Sequence, residues 1–252
     1  MYPLLPWKWL GSVVALVVAL SLYADDVGLL FGFTVTDQQL IRYLPPVLLG
    51  ALVAFFGPTG YWAPWRVAWR WIPTLNGWFP DVNGVWLGTT GSNWPTLKKM
   101  LEGAQAYSAI DQYELHSTPE QRDALAVQIT ASLFQLRIAA GLSSTDARSY
   151  SVAAKPRRDQ HSGRIRFTYV YEQTSPDPAI TDEENHMGAA DLILEPDNLE
   201  VAEGVYWTRR NWKTGLNTAG HLELRRIAQR KEPGKSLRQY AADEKGRLET
   251  RR

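Results

Sequence analysis

Cysteine is missing from all 252 residues, which excludes disulfides and thiolate-held metals. Histidine is scarce as well. The four present (His116, His161, His186, His221) are scattered without the spacing that gathers ligands around a metal ion. There is no glycine-rich loop ending in Lys-Ser/Thr, no Gly-x-Ser-x-Gly and no thiol nucleophile. The acidic run Asp182-Glu183-Glu184 falls in a turn-like stretch and reads as a solvated loop. Together these absences argue against catalysis, and neither a cofactor nor a resident metal is expected. The net charge of +1 says nothing about partners by itself, and no DNA or RNA is expected.

Charge is unevenly spread. Residues 1–75 carry only Lys8, Asp25, Asp26, Asp37, Arg42, Arg66 and Arg70. An apolar head of this kind suits lipid and the charged remainder suits water. The first charge-free run, Trp9–Ala24, has 16 residues, short of the ~20 that span a bilayer core unless Lys8 snorkels to the headgroups. The second, Tyr43–Trp65, has 23, with Pro45 and Pro46 near its start. In lipid every backbone polar group must be satisfied within its segment, so both read as transmembrane helices. Basic residues flank the outer ends and the connecting loop holds Asp25, Asp26 and Asp37. This pattern puts both termini and the following domain in the cytosol. Trp7, Trp9, Trp62, Trp65, Trp69, Trp71 and Trp78 flank the two runs as an aromatic belt does, and 62–73 reads as an interfacial segment. A signal peptide ending at Ala24 is the competing reading, but it leaves the second run as a lone span.

From Asp81 onward the pattern is that of strands, so the chain divides into an anchor (1–75), a β-domain (76–227) and a charged tail (228–252). Predicted strands cover 82–90, 125–139, 147–154, 164–173, 187–194, 199–210 and 220–227. The second changes phase midway, as a β-bulge does, and counts as two. Eight antiparallel strands can close into a barrel, which removes exposed edges and leaves room for one small ligand, with a sandwich as the rival. Residues 95–123 interrupt the strands as a helical insertion, with a capping-box spacing at Ser117–Glu120 opening its second helix. Lys155, Arg157 and Arg158 read as a basic hairpin turn, and the tail as disordered or loosely helical.

The alternating faces carry the functional signal. Tyr169 and Tyr171 share a face with Ile165 and Phe167. Gly204, Tyr206, Thr208 and Arg210 share another, and Ser149 and Ser151 a third. Pointed inward, these faces make an aromatic, hydroxylic and cationic lumen suited to a nucleobase and a phosphate. The same tyrosines could instead simply fill the barrel, giving a scaffold for protein partners. A lipid carrier is a further alternative, and it calls for an aliphatic lining.

The order of these features resembles a known family. Two N-terminal spans precede Asp81-Val82-Asn83-Gly84-Val85-Trp86-Leu87-Gly88, Ser149-x-Ser151, Tyr169-x-Tyr171-x-Gln173, His186-x-Gly188, Gly204-x-Tyr206-Trp207-Thr208-x-Arg210 and Gly220-x-Leu222-x-Leu224. This arrangement is similar to the SMODS-associated two-transmembrane, β-strand-rich effectors of bacterial CBASS anti-phage systems. Gln173 departs from the asparagine expected there, and the insertion at 95–123 is longer than the family core needs.

The resemblance implies a membrane-anchored, all-β, lipocalin-like barrel that senses a cyclic dinucleotide made by a cognate cGAS/DncV-like nucleotidyltransferase. It further implies homo-oligomerisation on activation, disruption of the lipid bilayer and abortive infection. The implied ligand-binding set is Trp86, Ser149, Ser151, Tyr169, Tyr171, Tyr206, Thr208 and Arg210.

Overall fold

A computed structural model describes residues 37–178 and 183–250, the first eight by backbone alone, with the isolated positions Leu4, Ser12, Ala15 and Ala19 before them. The chain divides into two compact units. One ends at Asp81 and also takes in Ser132–Gln135; the other holds the strands.

The first predicted span lies almost wholly outside the described residues. The second is not one helix. Helix α1 runs Asp37–Phe56, starting before the apolar run, and Gly57-Pro58-Thr59-Gly60 breaks it from α2, Pro64–Trp71. Among the described residues no helix is long and apolar enough to cross a membrane. The tryptophans in and just before α2 have two fates. Trp62 and Trp71 are exposed, whereas Trp65 and Trp69 are buried with Phe79 in a cluster of tilted and edge-on rings 4.9–6.3 Å apart. Two tryptophans of the expected aromatic belt, Trp65 and Trp69, are therefore core. Arg66, which is also buried, donates from Nε to Asp81 Oδ2 at 2.9 Å. A buried guanidinium is tolerated because its charge is matched there.

The strand unit is a closed antiparallel barrel of eight strands paired in sequence order, not a sandwich. They are β1 Gly84–Ser92, β2 Gln121–Ala131, β3 Leu136–Leu142, β4 Arg148–Arg158, β5 Ile165–Thr174, β6 Asn185–Glu195, β7 Asn198–Arg209 and β8 Ala219–Ala228. Thr90 opposite Leu222 and Leu87 opposite Arg225 are among the pairs that close β1 onto β8. Alternation decides which face is buried. On β5, Ile165, Phe167, Tyr169, Tyr171 and Gln173 point inward, and Thr168, Val170, Glu172 and Thr174 outward. Trp86, Val127, Ile129, Phe167, Leu192, Leu194 and Leu224 fill the lower lumen.

Three expectations need correction. The phase change in 125–139 is a hairpin turn, not a bulge. Ser132–Gln135 separates β2 from β3, and Ser132 N donates to Gln135 O at 2.9 Å. Bulges do occur, but between Ser151 and Ala153 on β4, for example, and between Val85 and Trp86. The cluster Lys155, Arg157 and Arg158 sits on β4 rather than in a turn, paired through Pro156 opposite Phe167. The true turn starts at Asp159, whose Oδ1 accepts from His161 N and Ser162 N at 2.9 Å.

The insertion forms α3, Trp94–Gln105, and α4, Gln112–His116. Here Asp111, not Ser117, caps the second helix, because its carboxylate accepts from Tyr113 N. Ser117 and Thr118 instead end that helix, both hydroxyls donating to Glu114 O.

The charged tail forms a helix, α5, Leu237–Thr250. Tyr240 and Ala241 bury the outward face of Val85, Leu87 and Ala126, with Leu237 packed alongside. That covering explains why β1 is buried on both faces over Val85–Leu87. The Tyr240 hydroxyl also accepts from Glu232 N at 2.9 Å. Truncating Tyr240 to Ala should therefore cost about 3 kcal/mol of barrel stability. Tyr240→Phe, which removes only the hydrogen bond, should cost about 1 kcal/mol. Denaturant titration of the detergent-solubilised chain, followed by near-UV circular dichroism, checks both values.

Candidate functional site

The barrel opens at the end that carries the β1–β2, β3–β4, β5–β6 and β7–β8 connections. Asn93, at the head of the insertion, is fixed to this rim by Ala219. Its N donates to Ala219 O at 3.0 Å and its Oδ1 accepts from Ala219 N at 2.9 Å. Thr208 ties the β7–β8 connection in the same way. Its N donates to Thr218 O at 2.8 Å, and the two hydroxyls lie 2.9 Å apart.

Inside lies a cavity of about 90 Å³ whose walls come from all eight strands. Leu125, Val127, Ala140, Leu142 and Leu222 line its apolar side, and Ser149, Gln173, Thr90, Thr208 and Arg210 its polar side. Tyr169, Tyr171 and Tyr206 supply its rings. Thr90, Leu142, Ala147, Tyr206 and Arg210 also line a wider mouth of about 440 Å³. The closed part alone holds a few waters; together with the mouth it reaches the size of a small-molecule site.

Strand register sets the order of these groups. Tyr169 stands opposite Ala190, which in turn faces Tyr206, so two tyrosines meet across a small residue. Tyr171 stands opposite Gly188, and a Cβ on that glycine would collide with the ring's hydroxyl end. The missing side chain at 188 is therefore what gives the Tyr171 ring its place. The Tyr169 and Tyr171 ring centroids are 6.0 Å apart.

Burial pushes the Tyr169 phenol well above its ordinary range, with neighbouring Tyr171 adding to the rise. Tyr171 is also pushed up by burial and then by Tyr206, while Arg210 pulls it down. Both phenols are therefore neutral donors and acceptors at physiological pH. Arg210 is the only cation among the residues lining the cavity. The second cation of the mouth, Arg238, is ion-paired with Asp146. Asp123, another mouth acid, accepts from Ser143 Oγ at 2.6 Å and from the Ser144 hydroxyl.

Six of the eight sequence candidates converge here: Ser149, Tyr169, Tyr171, Tyr206, Thr208 and Arg210. Trp86 and Ser151 do not. Trp86 is fully buried four residues below Thr90 on β1, and its Nε1 donates to Val82 O at 3.1 Å, so it belongs to the floor of the barrel. The Ser151 hydroxyl accepts from Ile138 N at 2.9 Å, continuing the β3–β4 seam where the backbone pairing of Ala139 with Tyr150 gives out. Gln173, Thr90, Ala190 and Leu222 line the cavity without having been among the candidates. Gln173 was legible, since it continues the alternation of Tyr169 and Tyr171. Thr90 needed the knowledge that β1 closes on β8.

A closed barrel with a mixed aromatic, hydroxylic and cationic lumen, open at one end, has the architecture of a small-ligand receptor. Residues 78–226 match the family described as Cap15, cyclic dinucleotide receptor domain, and the chain belongs to that family. CD-NTase-associated protein 15 of Escherichia albertii is a curated relative, 29% identical over 145 residues, which are 58% of this chain and 61% of that protein. The chain thus spans about three-fifths of that relative's length. The resemblance to CBASS effectors drawn from the strand motifs is borne out.

The buried phenols yield a test of the geometry. Unfolded, a tyrosine ionises near pH ~10; folded, Tyr169 and Tyr171 resist ionisation. Their contribution to stability is complete below that value and is lost as pH rises from it towards their higher folded values. An alkaline titration of native protein should show a tyrosinate absorbance short of the denatured chain's by two phenols. The missing signal should appear only with unfolding.

Proposed function

We propose that this protein is a membrane-anchored receptor whose barrel binds a cyclic dinucleotide as the signal of an anti-phage response. The observation that carries the reading is the convergence of Tyr169, Tyr171 and Tyr206 with Arg210 in one lumen. Tyrosine rings stack on bases, and a guanidinium takes phosphate oxygens through its donor fork. A dinucleotide exceeds the 90 Å³ of the closed cavity, so the bound ligand spans lumen and mouth, with its phosphates beside Arg210. The clustered phenols, hydroxyls and guanidinium suit a nucleotide better than a lipid chain, which calls for an aliphatic lining. Family membership supports the same ligand class.

The anchor lies in the apolar N-terminal region, and the barrel is on the cytoplasmic side of the inner membrane. In support, α1 is apolar on every side of its second half, and Val47 and Leu49 are each 64% exposed. A helix that is hydrophobic all round needs a non-aqueous surrounding. The signal comes from a cGAS/DncV-like nucleotidyltransferase. Ligand shifts the chain towards an oligomer that binds it better, and the assembled anchors then disrupt the bilayer, giving abortive infection.

Calorimetry with a panel of cyclic dinucleotides tests the reading. Wild type should bind at least one of them. Tyr171→Ala should weaken that binding by about 1–3 kcal/mol, the worth of a base–aromatic stack. Arg210→Ala should weaken it further than Arg210→Lys, which keeps charge but not the fork. Dye-loaded liposomes carrying the protein should leak only with the ligand that binds. Failure of every cyclic dinucleotide to bind sinks the proposal.

A further inference from the structure

Among the residues lining the cavity, Gln173 brings the one carboxamide. Gln173 is 8% exposed, points inward from β5 and lines the cavity. Among the described residues its carboxamide has no hydrogen-bond partner. Its donor and acceptor therefore face the cavity, free to meet a guest. The neighbouring hydroxyl of Thr208, by contrast, is bound to Thr218. Gln173 stands two residues beyond Tyr171 on the same face, about 6–7 Å further towards the mouth at the rise of a strand. Ser149 and His186 stand opposite it on the two flanking strands. A ring stacked on the tyrosines brings its edge to this level.

We propose that Gln173 is the specificity-determining residue of the site and that it selects adenine over guanine in the bound cyclic dinucleotide. The proposal rests on the receptor reading above. A carboxamide offers one donor beside one acceptor in a single plane. Adenine presents the complementary pair on both exposed edges, its N6–H lying beside N7 on one side and beside N1 on the other. Guanine presents two acceptors, O6 and N7, on its Hoogsteen edge, which the glutamine oxygen repels, and so matches the fork on one edge only. The residues of the closed lumen bring no carboxylate to read guanine's two adjacent donors. Arg210, the one fork able to take O6 and N7 together, is assigned to phosphate.

The test is a competition between 3′,3′-cyclic di-AMP and 3′,3′-cyclic di-GMP on wild type, Gln173→Leu, Gln173→Met and Tyr171→Ala. Gln173→Met keeps the unbranched shape, so it reports on the amide even if the leucine packs poorly; thermal melting confirms folding. Wild type should prefer the adenine ligand by about 10-fold or more, the discrimination expected of a bidentate base contact. In both apolar variants the preference should collapse towards one, through weaker adenine binding. Tyr171→Ala should weaken both ligands while keeping their ratio. A wild type that binds the guanine ligand as tightly, or a preference unchanged in Gln173→Met, overturns the assignment and leaves the receptor reading standing. Loss of all cyclic-dinucleotide binding by wild type overturns both.

Discussion

The structure depends on the closure of β1 onto β8. Until those two strands pair, the sheet has two edges with unsatisfied backbone donors and acceptors, and its inward faces need not converge. Closure makes convergence geometric. Tyr169 and Tyr171 on β5, Tyr206 on β7, Ser149 on β4 and Thr90 on β1 are up to 116 positions apart in sequence, yet they line one cavity. An eight-stranded barrel is narrow enough that ordinary side chains nearly fill it. The size of the space is therefore set by where the sequence places small residues. Ala140, Ala190 and Gly188 open the upper lumen, whereas Trp86, Phe167 and Leu192 fill the lower one.

Burying this much polarity has a cost that the fold meets in different ways on its different surfaces. Arg66 is matched by Asp81 within the N-terminal unit, and Thr208 by Thr218 at the rim of the barrel. On the outside, α5 dries the apolar faces of β1 and β2, which an uncovered barrel would show to water. Within the lumen the phenols of Tyr169 and Tyr171 stay neutral because burial opposes their ionisation. Neutral rings beside a single guanidinium leave the cavity attractive to a flat, anionic guest. The acids at the mouth are largely engaged with Arg238, Ser143 and Ser144, so they oppose such a guest less than their number suggests.

Period-two alternation made β5 and β7 readable, and with them five of the six candidates that reach the cavity, because a strand with one dry face writes its orientation into every second residue. The same logic misled where one signal has two causes. A phase change is produced equally by a bulge and by a tight turn, and Ser132–Gln135 lacks the glycine that announces a hairpin. Ser151 shared a face with Ser149 in sequence, but its hydroxyl was taken by Ile138 N at the β3–β4 seam, a partner no local pattern reveals. Pro156 looked like a turn residue, yet it sits within β4. The tail read as disordered or loosely helical, and its docking was not legible, because α5 needs only Leu237, Tyr240 and Ala241 to dock, too few for an amphipathic pattern to stand out. Family resemblance supplied what alternation could not, namely which ligand class an aromatic lumen serves.

The central claim is that the lumen, and not the outer surface, is where the ligand sits. A crystal structure of the complex with the tightest-binding cyclic dinucleotide tests it most directly. The account predicts a base against the Tyr171 ring and a phosphate oxygen held by the guanidinium of Arg210. A ligand lodged on the outer face of the barrel, with the lumen unchanged, contradicts it.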